Sequence, residues 1–174
     1  MTDQKKLALL VLDAQNDFFA RDNPNIAAFD ATLPVINEVV GYFRDGRLPV
    51  VFVQHTSSKK PEGSAAWMIY EGFDTESGDP RILKSFPDAF WESELDAQLR
   101  SIDVNVLIIS GFLSEHCVLS TYRGALQRGY AAYLLEGGIA SLKDEHTEFT
   151  LRISERVSLD NLRGMLANGE KGAR

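Results

Sequence analysis

The chain is poor in the residues that build disulfides and metal sites: one cysteine, Cys117, and three histidines in 174 residues. A single thiol excludes an internal disulfide and a zinc knuckle, which needs at least two thiolates. Positive charge is also scarce, since 18 Lys and Arg stand against 25 Asp and Glu for a net charge of −7. Without a basic footprint to neutralise phosphates, nucleic acid is not an expected partner. No uninterrupted apolar run approaches the roughly 20 residues of a membrane span, so no membrane partner is expected either. The opening Met1-Thr2-Asp3-Gln4-Lys5-Lys6 leads to only six apolar residues before Asp13, too few for a signal peptide, and a cytoplasmic protein is expected. No segment repeats and no linker divides the chain, which predicts one domain over 1–174 with a frayed tail over 168–174.

What is present fills a core. Hydrophobic residues make up 44% of the chain and include ten Phe, which excludes disorder for its bulk. Leu7 to Leu12 is a continuous apolar run, the mark of a strand buried on both faces. From Leu33 the period changes: Ile36, Val39, Val40 and Phe43 predict a helix face that ends at Gly46. Pro49 to Val53 is a second buried strand, leading to Gln54 and His55. Residues 56–80 show no period and form the one long loop, a length that usually carries function or mobility.

Arg81 to Lys84 is a short, weak strand. Ser93 and Asp96 suggest a helix start, with Leu95, Leu99 and Ile102 on its face. Val104 to Ser110 predicts a strand closed by Gly111, then a helix through Val118, Tyr122, Ala125 and Leu126 to Gly129. A strand over Ala131–Leu135 follows. His146, Phe149, Thr150 and Ile153 share a helix face, with His146 read as a satisfied core histidine. A short strand at Arg156–Leu159 and a final helix capped by Asp160 complete the pattern. Near-continuous apolar strands alternating with helices predict an α/β, doubly wound domain, with a mostly parallel sheet of five or six strands.

Ligands of such sheets bind beyond the carboxyl ends of the strands, where strand order reverses. Those ends carry Asp13, Gln54 with His55, Lys84 and, past Gly111, Cys117. A carboxylate, an ammonium and the only thiol therefore fall on one edge. With Ser114 as an N-cap, Cys117 would be the third residue of its helix, where free N–H groups and the helix dipole favour an anion. A nearby lysine would lower the thiol pKa further. Unpaired cysteines are also among the most buried residue types, so simple packing stands beside the reactive role. His116, adjacent to Cys117, points away from it on a helix and ranks below Asp13 as a base.

These residues lie in motifs that resemble the isochorismatase-like cysteine hydrolases, which include nicotinamidases, carbamoyl-amide hydrolases and isochorismatases. Asp13-Ala14-Gln15-Asn16-Asp17-Phe18 resembles the family's opening motif, and Lys84-Ser85-Phe86-Pro87-Asp88-Ala89-Phe90 its lysine motif. Gly111-Phe112-Leu113-Ser114-Glu115-His116-Cys117-Val118 is similar to its nucleophile motif, with Ser114 in place of the usual Thr. The resemblance runs from residue 7 to about 155 in matching order. It implies a catalytic triad of Asp13, Lys84 and Cys117, a cis peptide before Leu113, and an oxyanion hole from the N–H groups of Leu113 and Cys117. Gly137-Gly138 departs from a common Asp-Ala pair. The nicotinamidase metal site, Asp-x-His with a second His, is unmatched by Gln54-His55-Thr56, so no metal and no other cofactor are expected.

The expected activity is metal-independent hydrolysis of a C–N bond in a small amide or carbamoyl compound through a thioester. Alternatives are vinyl-ether hydrolysis of the isochorismatase type, or a non-catalytic binding module using the 56–80 loop. Gln15, Phe18, His55, Trp67, Phe90 and Tyr122 are the candidates for the substrate pocket. The only partners expected are a small-molecule substrate and, by resemblance, further copies of the chain in a homo-oligomer.

Overall fold

The structure, a computed structural model, describes residues 5–170. Six strands form one sheet: β1 (Leu7–Leu12), β2 (Val50–His55), β3 (Arg81–Lys84), β4 (Val106–Phe112), β5 (Ala131–Ala140) and β6 (Arg156–Val157). Their order is β3-β2-β1-β4-β5-β6 and every pairing is parallel. Five helices cover it: α1 (Ile26–Asp45), α2 (Leu95–Ser101), α3 (Leu119–Gln127), α4 (Asp144–Arg152) and α5 (Leu159–Glu170). This is the doubly wound α/β fold, and order reverses between β1 and β4, which places the crevice there.

The central strand shows why both faces must be covered. Ala8, Leu10 and Leu12 join the core beneath α2 and α3, whereas Leu7, Leu9 and Val11 join the core beneath α1 and α5. All six residues are buried. At the crevice, Leu12 pairs with Gly111 of β4. A Cβ on Gly111 would lie 2.0 Å from the Leu12 carbonyl oxygen, and its φ of +109° also requires glycine. The two strands could not otherwise approach at this point.

Several boundaries differ from expectation. Helix α1 begins at Ile26, seven residues before Leu33, and carries Pro34 in its interior. Pro34 is on the exposed side, where water can bond the Asp30 carbonyl that lacks an amide partner. Among the described residues α1 is also the one helix long and apolar enough to cross a membrane, with a mean hydropathy of 1.2. Its stripe of Phe29, Ile36, Val39, Val40 and Phe43 is instead taken up by the sheet.

Strand β5 runs on to Ala140 past an irregularity: Ile109 pairs with Leu134 but Gly111 with Ile139. Gly137, with φ +75°, turns the chain there. The last helix is entered from Ser158, whose hydroxyl accepts the Asn161 N–H at 3.3 Å, so Asp160 is a first-turn residue and not the cap. That helix continues to Glu170, beyond the expected start of fraying at Asn168, and 171–174 lie outside the described residues.

Candidate active site

Asp13 leaves β1 with a left-handed φ of 53°, a region aspartate enters more readily than most residues. Its N–H donates to the Val53 carbonyl at 2.7 Å, which fixes it against β2. Lys84 ends β3, where the alternation Arg81-Ile82-Leu83-Lys84 turns it inward with Ile82. Its side chain is fully buried and that of Asp13 is 2% exposed. Such charges are stable in a core only when paired.

Lys84 Nζ lies 3.0 Å from Asp13 Oδ2, 3.1 Å from Cys117 Sγ, 3.3 Å from the Phe86 carbonyl oxygen and 3.4 Å from His55 Nδ1. Three ammonium protons thus serve four acceptors, and the shortest contacts go to the carboxylate and the sulfur. The other carboxylate oxygen, Asp13 Oδ1, is buried without a hydrogen-bond partner. Asp13, Lys84 and Cys117, 104 positions apart at the extremes, are therefore one cluster at the crevice.

Cys117 lies in a π-helical turn, Ser114–Val118, that precedes α3. The Leu113 carbonyl accepts the N–H groups of His116 at 3.1 Å and Val118 at 3.2 Å, which winds the turn wide. The Phe112–Leu113 peptide is cis. Ser114 does not cap this turn; its hydroxyl meets Thr147 Oγ1 of α4 at 3.0 Å. The expectation of an acidified thiol also fails. Burial, followed by the Asp13 charge, pushes the Cys117 thiol up to about 12, and the Lys84 ammonium offsets this only in part. A thiol sunk beside a carboxylate keeps its proton.

His55 is held below its ordinary pKa by burial and by Lys84, so its ring is neutral at pH 7. With a lysine cation facing Nδ1, that nitrogen is the acceptor and Nε2 carries the hydrogen. Among the described residues no three of His, Cys, Asp and Glu gather as a metal-binding group.

The other expected pocket residues divide. Gln15 is wholly buried and works as a clamp: Nε2 donates to the carbonyls of His55 at 3.0 Å and Trp67 at 2.8 Å, and Oε1 accepts the His55 N–H at 2.9 Å. Gln54 Nε2 donates to the same Trp67 carbonyl at 3.0 Å, so the 56–80 loop is tied to both strand ends. Trp67 is part-buried, and its indole N–H has no partner. Phe18 lies 5.8 Å from Phe112, next to the Leu113 turn, and under the Lys60 ammonium at 5.1 Å.

Phe90 and Tyr122 are buried in the core cluster. Phe90 stacks on Tyr130 at 5.6 Å beneath the Arg128 guanidinium, and Tyr122 Oη accepts the Glu155 N–H at 2.9 Å. Their aromatic bulk fills the α2–α3 side of the sheet.

His146 is half-exposed rather than a core residue, because α4 lies along the Cys117 turn and leaves Phe149 and Ile153 in solvent. Its Nδ1 is 2.7 Å from Glu115 Oε1, and Glu115 Oε2 accepts the Ser141 hydroxyl at 2.6 Å. Sequence reasoning missed Glu115, Ser141 and the Phe86 carbonyl; the first two are 26 residues apart and share no periodic signal.

Residues 7–157 match the isochorismatase domain family. The chain belongs to that family. This isochorismatase-family protein is 31% identical over 164 residues to the uncharacterised family protein YddQ of Bacillus subtilis, covering 86% of this chain and 82% of the relative. It is 26% identical over 166 residues to the ureidoacrylate amidohydrolase RutB of Stutzerimonas stutzeri, covering 74% and 67%. A crystal structure of an isochorismatase family protein from Desulfovibrio vulgaris superposes with a TM-score of 0.84 at 22% identity, over 94% of this chain and 99% of that one. The last is a likeness of fold.

Proposed function

We propose that this family hydrolase cleaves the C–N bond of a small amide or carbamoyl compound, with Cys117 as nucleophile, Asp13 as proton carrier and Lys84 as electrostatic support. The observation that carries this is the Lys84 ammonium bridging Asp13 Oδ2 at 3.0 Å and Cys117 Sγ at 3.1 Å in a buried site. Similarity to an amidohydrolase that acts on ureidoacrylate adds support for the bond class.

The resting thiol is protonated, so attack and deprotonation are coupled. Asp13 takes the thiol proton as sulfur bonds to the carbonyl carbon, its unpartnered Oδ1 being the free acceptor. The Lys84 ammonium stabilises the sulfur as it gains charge. The N–H groups of Leu113 and Cys117 take the developing oxyanion. Asp13 then returns the proton to the departing nitrogen, which leaves as ammonia or an amine, and a thioester or thiocarbamate remains. Water adds to this carbonyl while Asp13 accepts its proton; the acid is released and the thiol re-forms. Asp13 relays both protons, the first from the thiol and the second from water, and His55, facing a lysine cation, is poorly suited to bind a metal through Nδ1.

The test is ammonia release from a panel of small amides and carbamoyl compounds, with Cys117→Ala as control. Turnover by the wild type that disappears in Cys117→Ala supports the reading. Ammonia release that survives the substitution overturns Cys117 as nucleophile, whereas no ammonia from either protein together with cleavage of a vinyl ether by both points to vinyl-ether-type chemistry, which uses the acid and not the thiol.

A further inference from the structure

The turn that carries Cys117 is fastened to α4 at two consecutive residues. Ser114 Oγ meets Thr147 Oγ1 at 3.0 Å, and the Glu115 carboxylate is gripped at both oxygens, by Ser141 Oγ at 2.6 Å and His146 Nδ1 at 2.7 Å. The anchor reaches further: Asn25, just ahead of α1, donates from Nδ2 to the Ser141 carbonyl at 2.9 Å and to Asp144 Oδ1 at 2.7 Å. Glu115 is held below the usual carboxylate range, its hydrogen bonds outweighing its burial. A π-helical turn lacks the regular ladder of an α-helix, so its shape depends on such outside contacts. By contrast His116, between Glu115 and Cys117, is exposed and only 3.8 Å from Glu115 at its nearest approach.

We propose that Glu115, clamped by Ser141 and His146, is the positioning residue that holds the Cys117 turn so that the sulfur stays on the Lys84 ammonium it shares with Asp13. Glu115 touches no reacting atom. It acts through the turn, and α4 thereby sets the reach of the nucleophile. This rests on Cys117 being the nucleophile, but its geometric part is readable from the thiol alone.

Releasing the clamp lets the part-buried sulfur move out towards solvent and away from Asp13, easing the two influences that raise its pKa. Glu115→Ala should therefore react with iodoacetamide at pH 8 at least threefold faster than wild type. On any amide found to be hydrolysed, its kcat should fall about tenfold with KM within threefold, since positioning acts on the chemical step. Ser141→Ala and Glu115→Gln, which keep part of the clamp, should shift both readouts in the same directions by less. Ser141→Ala added to Glu115→Ala should change nothing further.

An alkylation rate within twofold of wild type in folded Glu115→Ala overturns the proposal. If that variant fails to fold, alkylation rates unchanged from wild type in both Ser141→Ala and Glu115→Gln overturn it. A rise in KM with kcat unchanged also overturns it. Failure of the amidohydrolase reading shows separately, as turnover retained by Cys117→Ala, and leaves the alkylation readout intact.

Discussion

Lys84 and Lys60 both reach back to carboxylates just past β1, Asp13 at 3.0 Å and Asp17 at 2.7 Å. Both side chains are largely removed from water, fully for Lys84 and to 10% exposure for Lys60. Their remaining neighbours differ. The third group at Lys84 is a thiol, with a neutral imidazole and a carbonyl behind it. At Lys60 it is the face of Phe18, 5.1 Å away, an apolar surface with no proton to exchange. Asp17 is also partly open to water, whereas Asp13 is sealed. A buried lysine–aspartate pair is thus not in itself a sign of chemistry. A thiol sharing the same ammonium is what separates the two sites, and substitutions at each should part accordingly.

The largest effect belongs to the thiol. Cys117→Ala should abolish amide turnover, a loss of about 10³-fold or more, because the nucleophile and its proton route act as a unit. Lys60→Met should leave kcat within a fewfold. Ammonia-release assays on both variants check the contrast, and a comparable collapse in Lys60→Met would erase the distinction drawn between the lysines.

Next is the proton on that thiol. With its pKa at about 12, against about 8.5 for a free cysteine, the thiolate fraction at pH 7 is lower by roughly 10³-fold. Iodoacetamide should therefore label Cys117 far more slowly than a small-molecule thiol at pH 7, with the rate rising about tenfold per pH unit between 8 and 11. The sign for stability follows: a thiol whose folded pKa is raised favours the folded state fully below pH 8.5 and withdraws that support as pH climbs towards 12. Cys117→Ser should consequently lose less stability than wild type between pH 9 and 11. Rapid labelling at pH 6–7 would contradict both the burial and the Asp13 contribution.

That shift marks the boundary of what the amino-acid order reveals. The strands declare themselves because β1, β2 and β4 are buried on both faces and must be apolar throughout, and their ends point to Asp13, His55 and Cys117 by topology alone, while Lys84 ends the shorter, half-exposed β3. Ionisation is decided by depth and by neighbours distant in sequence, so Cys117 looked like an acidified helix-start thiol when it is a part-buried one beside a carboxylate. Phe90 and Tyr122 pack in the hydrophobic core on the α2–α3 side, and the order of residues alone does not show this, because an aromatic side chain reads alike whether it lines a pocket or fills a core. Helix α1 was shortened because its apolar period is regular only from Ile36 onward, and the exposure of Pro34 explains why the interior tolerates it. Glu115 passed unnoticed, since its partners Ser141 and His146 come from the far end of β5 and from α4.

Stability separates the lysines after activity does. Lys84→Met leaves the Asp13 carboxylate buried and unpaired, which costs about 3–5 kcal/mol. The double substitution Lys84→Met with Asp13→Asn should recover part of this, because no isolated charge remains. Urea unfolding at pH 7 gives both numbers, and a loss under about 1 kcal/mol in the single variant would mean that water reaches the pair.

The smallest effect is expected at Lys60. Its removal frees Asp17, whose side chain is 35% exposed and can be hydrated in place. The ion pair is therefore screened and worth about 1 kcal/mol at most, with the contact over Phe18 adding about 0.5–1 kcal/mol. Methionine keeps most of the aliphatic stem that packs there, so the net loss should stay near 1 kcal/mol. Raising the salt concentration should weaken the wild type slightly more than Lys60→Met, since only the former has an ion pair to screen. At Lys84, where no solvent ion can enter, the difference between wild type and variant should be insensitive to salt. Salt dependence at both positions, or at neither, would show that depth is not what distinguishes the two pairs.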